Sequence, residues 1–348
     1  MKKHNNISEK KLLKIKVLRA GAILLAVILV ISVALLILKK WERNQQGGDG
    51  ALSPQISVQT KTYNGQNYTI KRNVDTFLVM GLDEISTDII YDEDAINNNR
   101  EADFLILFVF DNSNHTYSAL HINRDSMAKM DIFGARGEVV DSKVQQLALA
   151  HTYGDGKKES CKNTVKAVEG LLNNEVDIDS YISVPMDSVA EINDIFGGVE
   201  VTVLQDLTYA DPQLSEGTTL TLKGSQALTY VRTRYGLDNS SNEARMERQK
   251  QYLEKLFDKA NQSIEADDGI LEQLSESNTF KTMEANNVNT IEAIIKTLPK
   301  YEFCGVYSLD GDYQTVENDK GETNMQFYPY DDSVEENIIN LMYNPVSD

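Results

Sequence analysis

The sequence predicts an α/β protein: a single extracellular α/β domain with a central mixed sheet flanked by helices, plus one N-terminal transmembrane helix. Three observations predict it. Short continuous apolar runs, "DTFLVMGLD" (75–83) and "ADFLILFVFD" (102–111), read as buried strands. Segments with apolar residues at helical spacing interleave with such strands, and no clean linker divides them, so one domain is expected. Ahead of both, Ala20 to Leu38 is 19 residues without a charge. As a helix that run spans roughly 28 Å, close to the hydrocarbon core of a bilayer.

The anchor also orients the chain. Lys2, Lys3, Lys10, Lys11, Lys14, Lys16 and Arg19 precede the apolar run. The positive-inside bias therefore puts the N-terminus in the cytoplasm and the body outside the cell membrane, against the weaker pull of Lys39, Lys40 and Arg43. "KKWERN" follows without a small-residue cleavage pattern, so the span is expected to stay as a single-pass signal-anchor. The expected parts are a basic tail (1–19), the transmembrane helix (20–38), a spacer and leading hairpin (39–72) and the α/β domain (73–348), which includes a C-terminal strand and helix. The hairpin is expected around Asn64-Gly65, the dipeptide that suits a tight two-residue turn.

Charge narrows the partners. The net charge is −19, but residues 1–43 carry ten Lys and Arg against two Asp and Glu, and the rest carries 24 against 51. A body that acidic repels nucleic acid, whose binding needs cations to displace counterions. The two cysteines, Cys161 and Cys304, allow one disulfide or two free thiols.

Further along, "TYSALHINRDS" (116–126), "VEVTV" (199–203) and "YEFCGVYSL" (301–309) read as strands. Helices are expected over 142–154, 160–173, 185–198, 225–231, 243–262, 290–299 and 334–343. "DGDYQTVENDKG" (310–321) lacks the EF-hand ligand order and reads as turns.

The chemistry gathers around arginine. Arg232, Arg234, Arg245 and Arg248 fall within seventeen positions of a chain that is otherwise acidic. If 230–235 is extended, Arg232 and Arg234 share a face. On the following helix Arg245 and Gln249 sit one turn apart, with Arg248 beside them. Paired guanidinium forks suit phosphate oxygens, and a helix N-terminus adds favourable potential. The plainer reading is a solvated face on which Glu243 and Glu247 pair with these arginines. Asp83 closes one strand and Asp103 opens the next. If the two run antiparallel, both carboxylates share an edge, enough with substrate phosphates to hold Mg²⁺. Arg124 and Asp125 end a third strand, where open α/β sheets tend to bind ligands. No G-x-S-x-G, H-E-x-x-H, Walker A or G-x-G-x-x-G motif occurs, and His4, His115, His121 and His151 show no metal spacing.

Taken in order, "FLVMGLD", "READFLILFVF", "INRDS", "FGGVEVTV", "LKGSQALTYVRTR" and "ARMERQ" resemble the LytR-CpsA-Psr family of cell-wall glycopolymer transferases. The resemblance implies an enzyme that moves a glycopolymer, teichoic-acid or capsule-like, from a polyprenyl-pyrophosphate carrier to a peptidoglycan hydroxyl. It implies an apolar groove for the lipid, and Mg²⁺ (or Mn²⁺) on Asp83 and Asp103. Arg124, Arg232, Arg234, Arg245 and Gln249 match the pyrophosphate-binding set, and Asp83, Asp103, Arg124, Arg232 and Arg234 form the expected catalytic group. Two departures stand out. Asn242 and Ala244 replace an Asp and a Gly that commonly precede the Arg245 position, which leaves the general base open between Glu243, Asp238 and none. The chain also reads Asn123 where a Pro commonly precedes the arginine. The alternatives are hydrolysis of the same lipid-linked glycan, or an anchored non-enzymatic regulator of the envelope.

Overall fold

The computed structural model describes residues 60–83, 90–91, 96–233, 242–267, 269–286, 300–317 and 323–346. The apolar span 20–38, Arg234 and the helix expected over 290–299 lie outside the described residues. Among those described, no helix is long and apolar enough to cross a membrane. The chain divides into two units, Met1–Ser57 and Val58–Asp348, and the α/β architecture belongs to the second.

At its centre are six strands: β1 (Val74–Leu82), β2 (Ala102–Asp111), β3 (Thr116–Ile122), β4 (Ser180–Pro185), β5 (Glu284–Ala285) and β6 (Glu302–Ser308). Their spatial order is β5-β4-β1-β2-β3-β6. β1, β2 and β3 are antiparallel neighbours, whereas β4 runs parallel to β1 and β6 parallel to β3. The sheet is therefore mixed, as the sequence predicts. The helices are α1 (Lys158–Leu171), α2 (Ser188–Ile195), α3 (Ser225–Arg232), α4 (Asn242–Ala266), α5 (Gly269–Glu276), α6 (Asn278–Thr282) and α7 (Asp331–Met342).

Strands apolar on both faces demand cover on both. One face sends Leu78, Met80, Leu105, Leu107 and Leu120 into a dry core with Val168 of α1 and Ile338 of α7. By the two-residue period of a strand, Phe77, Val79, Phe104, Ile106 and Phe108 point the other way. There, with residues of α2, α4, α5 and α6, they line an apolar chamber of about 320 Å³.

The leading hairpin pairs Thr60–Tyr63 with Gln66–Ile70 through Asn64 and Gly65, whose φ angles of 49° and 78° give the turn that the dipeptide favours. Its second strand pairs in turn with Tyr343–Pro345, tying the hairpin to the end of the chain.

Four expectations are corrected. Residues 142–154 do not form a helix: Val139–Gln146 is a strand paired with Met127–Phe133, followed by a 3₁₀ segment at Leu147–Thr152. Val139, Val140 and Val144 are exposed there, so ladder hydrogen bonds outweigh helical spacing. Residues 311–317 form a strand rather than turns, paired with Thr323–Pro329. The third strand stops at Ile122, because the Ser126 N–H turns back to the Asn123 carbonyl. The helix expected over 225–231 forms and runs on to Arg232 as α3, so the condition that 230–235 be extended is not met at residues 230–232. Cys161 is buried, Cys304 exposed, and both are free thiols.

Candidate active site

β1 and β2 run antiparallel, so the end of the first meets the start of the second. The Asp83 N–H bonds the Glu101 carbonyl at 3.0 Å, which brings Asp83 and Asp103 to one sheet edge. There they line an open polar cavity of about 620 Å³ with Glu101, Arg124, Tyr209, Thr229, Arg232, Thr233 and Arg245. Five predicted residues thus converge: Asp83, Asp103, Arg124, Arg232 and Arg245. Arg234 lies outside the described residues.

Each carboxylate in the cavity faces a guanidinium. Arg232, at the C-terminal end of α3, donates to Asp83. Arg124 pairs with Asp103 through Nη1 and with Glu101 through Nη2 at 2.5 Å, while its Nε stands 3.5 Å from Asp125. The cavity is a lattice of alternating charge, in which an incoming anion competes with carboxylates for preformed guanidinium donors. The expected solvated face with Glu243 and Glu247 does not form: both glutamates are exposed, while Arg245 and Arg248 are buried.

Arg245 sits in the first turn of α4, where the helix dipole disfavours a cation. It is only 3% exposed. Its Nη2 donates to the Asn242 side-chain carbonyl, with the Asp103 backbone carbonyl at 3.5 Å. Asn242 therefore holds the arginine as an uncharged acceptor.

Arg248 and Gln249 have a different place. Arg248 is fully buried and donates to the carbonyls of Tyr230 (2.8 Å) and Thr233 and to the Gln205 side chain (2.6 Å). Gln249 donates to the Val231 carbonyl at 3.0 Å. Together they satisfy carbonyls left open at the end of α3 and fix it against α4, which sets where Arg232 emerges. Gln249 lines the apolar chamber and not the polar cavity. Next to it, His121 is 3% exposed, its ring centroid 5.2 Å from that of Phe104. Burial, reinforced by Arg245, lowers its pKa to about 3, so it is neutral at physiological pH.

The two spaces meet at the same strand and helix ends. Gly81, Phe104 and Val231 line the chamber, and Asp83, Asp103 and Arg232 line the cavity. Glu101 escaped the sequence reading, although its position two residues before Asp103 places it on the same side of the chain. Tyr209 carried no signal, since it comes from a loop distant in sequence.

Two carboxylates with no histidine or cysteine suit a hard cation that keeps water and takes substrate phosphate oxygens. Among the described residues no group of three or more His, Cys, Asp or Glu could hold a metal alone. Asp83 and Asp103 share one sheet edge, and each already pairs with an arginine.

An apolar chamber and a polar cavity of paired arginines and carboxylates are thus built from neighbouring residues of the same strands and helices. The chain belongs to the LytR-CpsA-Psr family: the LytR_cpsA_psr family model matches residues 43–306. Among curated relatives it is 26% identical over 232 residues to the polyisoprenyl-teichoic acid–peptidoglycan teichoic acid transferase TagU of Bacillus subtilis, covering 66% of this chain and 67% of that one. It is 27% identical over 216 residues to TagV of the same organism, covering 60% of this chain but only 50% of that protein. The chain thus spans between half and two thirds of these relatives. In fold it is similar to the crystal structure of B. subtilis TagV (TM-score 0.54, 22% identity, 78% of this chain and 97% of that one). A structure titled TagT bound to LI-WTA aligns with the same TM-score of 0.54 at 19% identity, over 84% of this chain and 98% of that one.

Proposed function

We propose that this chain transfers a glycopolymer from a polyprenyl-pyrophosphate carrier to a peptidoglycan hydroxyl. The observation that carries the reading is that the apolar chamber and the cavity of Arg124, Arg232 and Arg245 are lined by neighbouring residues of the same strands and helices. A polyprenyl tail in the chamber would gain about 0.8 kcal/mol for each CH₂ removed from water. Its diphosphate would then lie at the chamber mouth, beside three guanidiniums.

The chemistry follows from the head group. The acceptor hydroxyl oxygen forms a bond to the glycan-side phosphorus, and the bridging P–O bond breaks. Polyprenyl phosphate leaves, and the hydroxyl proton passes to solvent. Negative charge builds on the bridging and terminal oxygens, and donors already aimed at them lower the barrier. Arg232 and Arg245 reach the cavity from different helices, so they can hold the two phosphates in a fixed order. Arg124, tied to Asp103 and Glu101, neutralises a third side. Mg²⁺ bound by Asp83 and Asp103 would supply further charge neutralisation of the diphosphate. Tyr209, which lines the cavity and is 53% exposed, would stack against an acceptor sugar.

We further propose that residues 20–38 anchor the chain with its N-terminus in the cytoplasm, so that the catalytic unit meets peptidoglycan outside the cell. The test uses the detergent-solubilised full-length chain, a polyprenyl-pyrophosphate glycan and uncrosslinked glycan strands, with and without a chelator. Glycan–peptidoglycan conjugate that depends on a divalent cation supports the reading. Release of free phosphoglycan instead would make it a hydrolase, and no turnover would favour the envelope regulator.

A further inference from the structure

The hairpin Gly311–Glu317 and Thr323–Pro329 lies beyond residue 306, where the family match ends. It is nonetheless joined to the site. The Phe327 N–H bonds the Asp125 carbonyl at 2.8 Å, and the Gln146 amide bridges the Met325 carbonyl (2.7 Å) and the Asp125 carboxylate (3.2 Å). From this hairpin Tyr313, packed against Phe327 with ring centroids 5.0 Å apart, turns its hydroxyl toward the turn that follows β3.

A directed chain of hydrogen bonds starts there. Asn123 Oδ1 accepts the Asp125 N–H at 2.9 Å, which fixes which end of the amide is oxygen. Asn123 Nδ2 must then face the Tyr313 hydroxyl, which accepts at 2.6 Å. Asn123 Oδ1 also accepts from Asn242 Nδ2 at 2.6 Å, so Asn242 turns its own oxygen to Arg245. The Asp125 N–H orients the Asn123 amide, the Tyr313 hydroxyl holds its other end, and Asn123 in turn orients Asn242. Asn123, Asn242 and Arg245 are 3%, 6% and 3% exposed, so these bonds are largely shielded from solvent. Asn123 also immediately precedes Arg124, so its turn bears on two of the three cavity arginines.

We infer that Tyr313 is a positioning residue: by holding the Asn123 amide, and Asn242 through it, the hydroxyl steadies the Arg245 guanidinium in the anion cavity. This rests on reading that cavity as a diphosphate site. The hairpin thus acts as an external brace on the site, supplied by a segment outside the matched family region.

The test is the affinity of the detergent-solubilised full-length chain for inorganic pyrophosphate, measured by titration calorimetry, with transfer followed separately. Tyr313→Phe removes the hydroxyl and keeps the ring against Phe327, so its melting temperature should stay close to wild type. Its pyrophosphate affinity should fall about fivefold, the loss of one oriented bond. Tyr328→Phe makes the same change on the same hairpin, where among the described residues the hydroxyl bonds Gln326 at 2.7 Å, and should bind as wild type. Asn242→Asp keeps an acceptor for Arg245 but has no donor for Asn123. In that background Tyr313→Phe should cause no further loss. Equal losses in both backgrounds, or wild-type affinity for Tyr313→Phe, would overturn the inference. A wild type that binds no pyrophosphate would overturn the anion site and this role together. One that binds it but forms no conjugate would overturn only the transferase reading.

Discussion

Arg232 and Arg248 are both arginines of one cluster, yet the structure gives them opposite duties. The Arg232–Asp83 pair is more than a third exposed on both sides, so losing it should cost the fold less than about 1 kcal/mol. Arg232→Ala should therefore unfold like wild type while transfer falls by about a hundredfold, the usual scale for one preorganised donor. Arg248→Ala should do the reverse. It leaves a void and strands the Tyr230 and Thr233 carbonyls, so urea denaturation should show a loss of about 3–5 kcal/mol. An Arg248→Ala protein of wild-type stability would contradict the clamp. Sequence alone grouped these arginines by spacing. It could not sort them, because burial depends on where α3 ends. A helix over 225–231 is legible in the sequence, but not that residue 248 reaches the open carbonyls at its end. Asp83 and Asp103 were legible for a simpler reason: two apolar strands in antiparallel pairing must bring those ends together.

At the scale of elements, the sheet face turned to α2, α4, α5 and α6 determines what the chamber admits. Gly81 shows how close the walls stand: a Cβ there would fall 2.5 Å from Met186 Sδ and 2.9 Å from Phe104 Cβ. Val184→Trp would push a large side chain into the space from β4. The expected result is a higher KM for long polyprenyl substrates and little change for a short-chain diphosphate, seen by varying tail length in the transfer assay. Equal effects at all lengths would mean that the tail lies elsewhere. The chamber itself was not legible in the sequence. Continuous apolar runs announce strands covered on both faces, but a packed layer and a lined cavity have the same pattern. The paired strands 311–317 and 323–329 were missed because they alternate weakly among turn-forming residues, and their place is fixed by contacts with Ser126 and Asp125.

Across the whole molecule, two buried histidines couple folding to pH. Burial lowers His121 to about 3 and His151 to about 4, and the His151 ring bonds the Arg100 carbonyl at 2.9 Å. Both folded values lie below the ordinary histidine value of 6.5. Between them the unfolded chain binds more protons, so stability is full above pH 6.5 and is lost as pH falls toward the folded values. The slope is up to about 1.4 kcal/mol per pH unit for each histidine. Urea denaturation between pH 7 and 5 should show this decline, and His151→Gln, which retains a donor for Arg100, should halve it; a flat profile would contradict both burials. The mixed sheet, most helices and the family were readable from the order of short motifs, whereas the pairing of charges inside the cavity needed the fold. The most direct measurement of the central claim, that guanidiniums at the chamber mouth grip a lipid diphosphate, is conjugate formation by wild type, Arg232→Ala and Arg245→Ala on a polyprenyl-pyrophosphate glycan. The expected result is rapid attachment to peptidoglycan by wild type and at least a hundredfold loss in each folded variant. Undiminished transfer by both variants would contradict it.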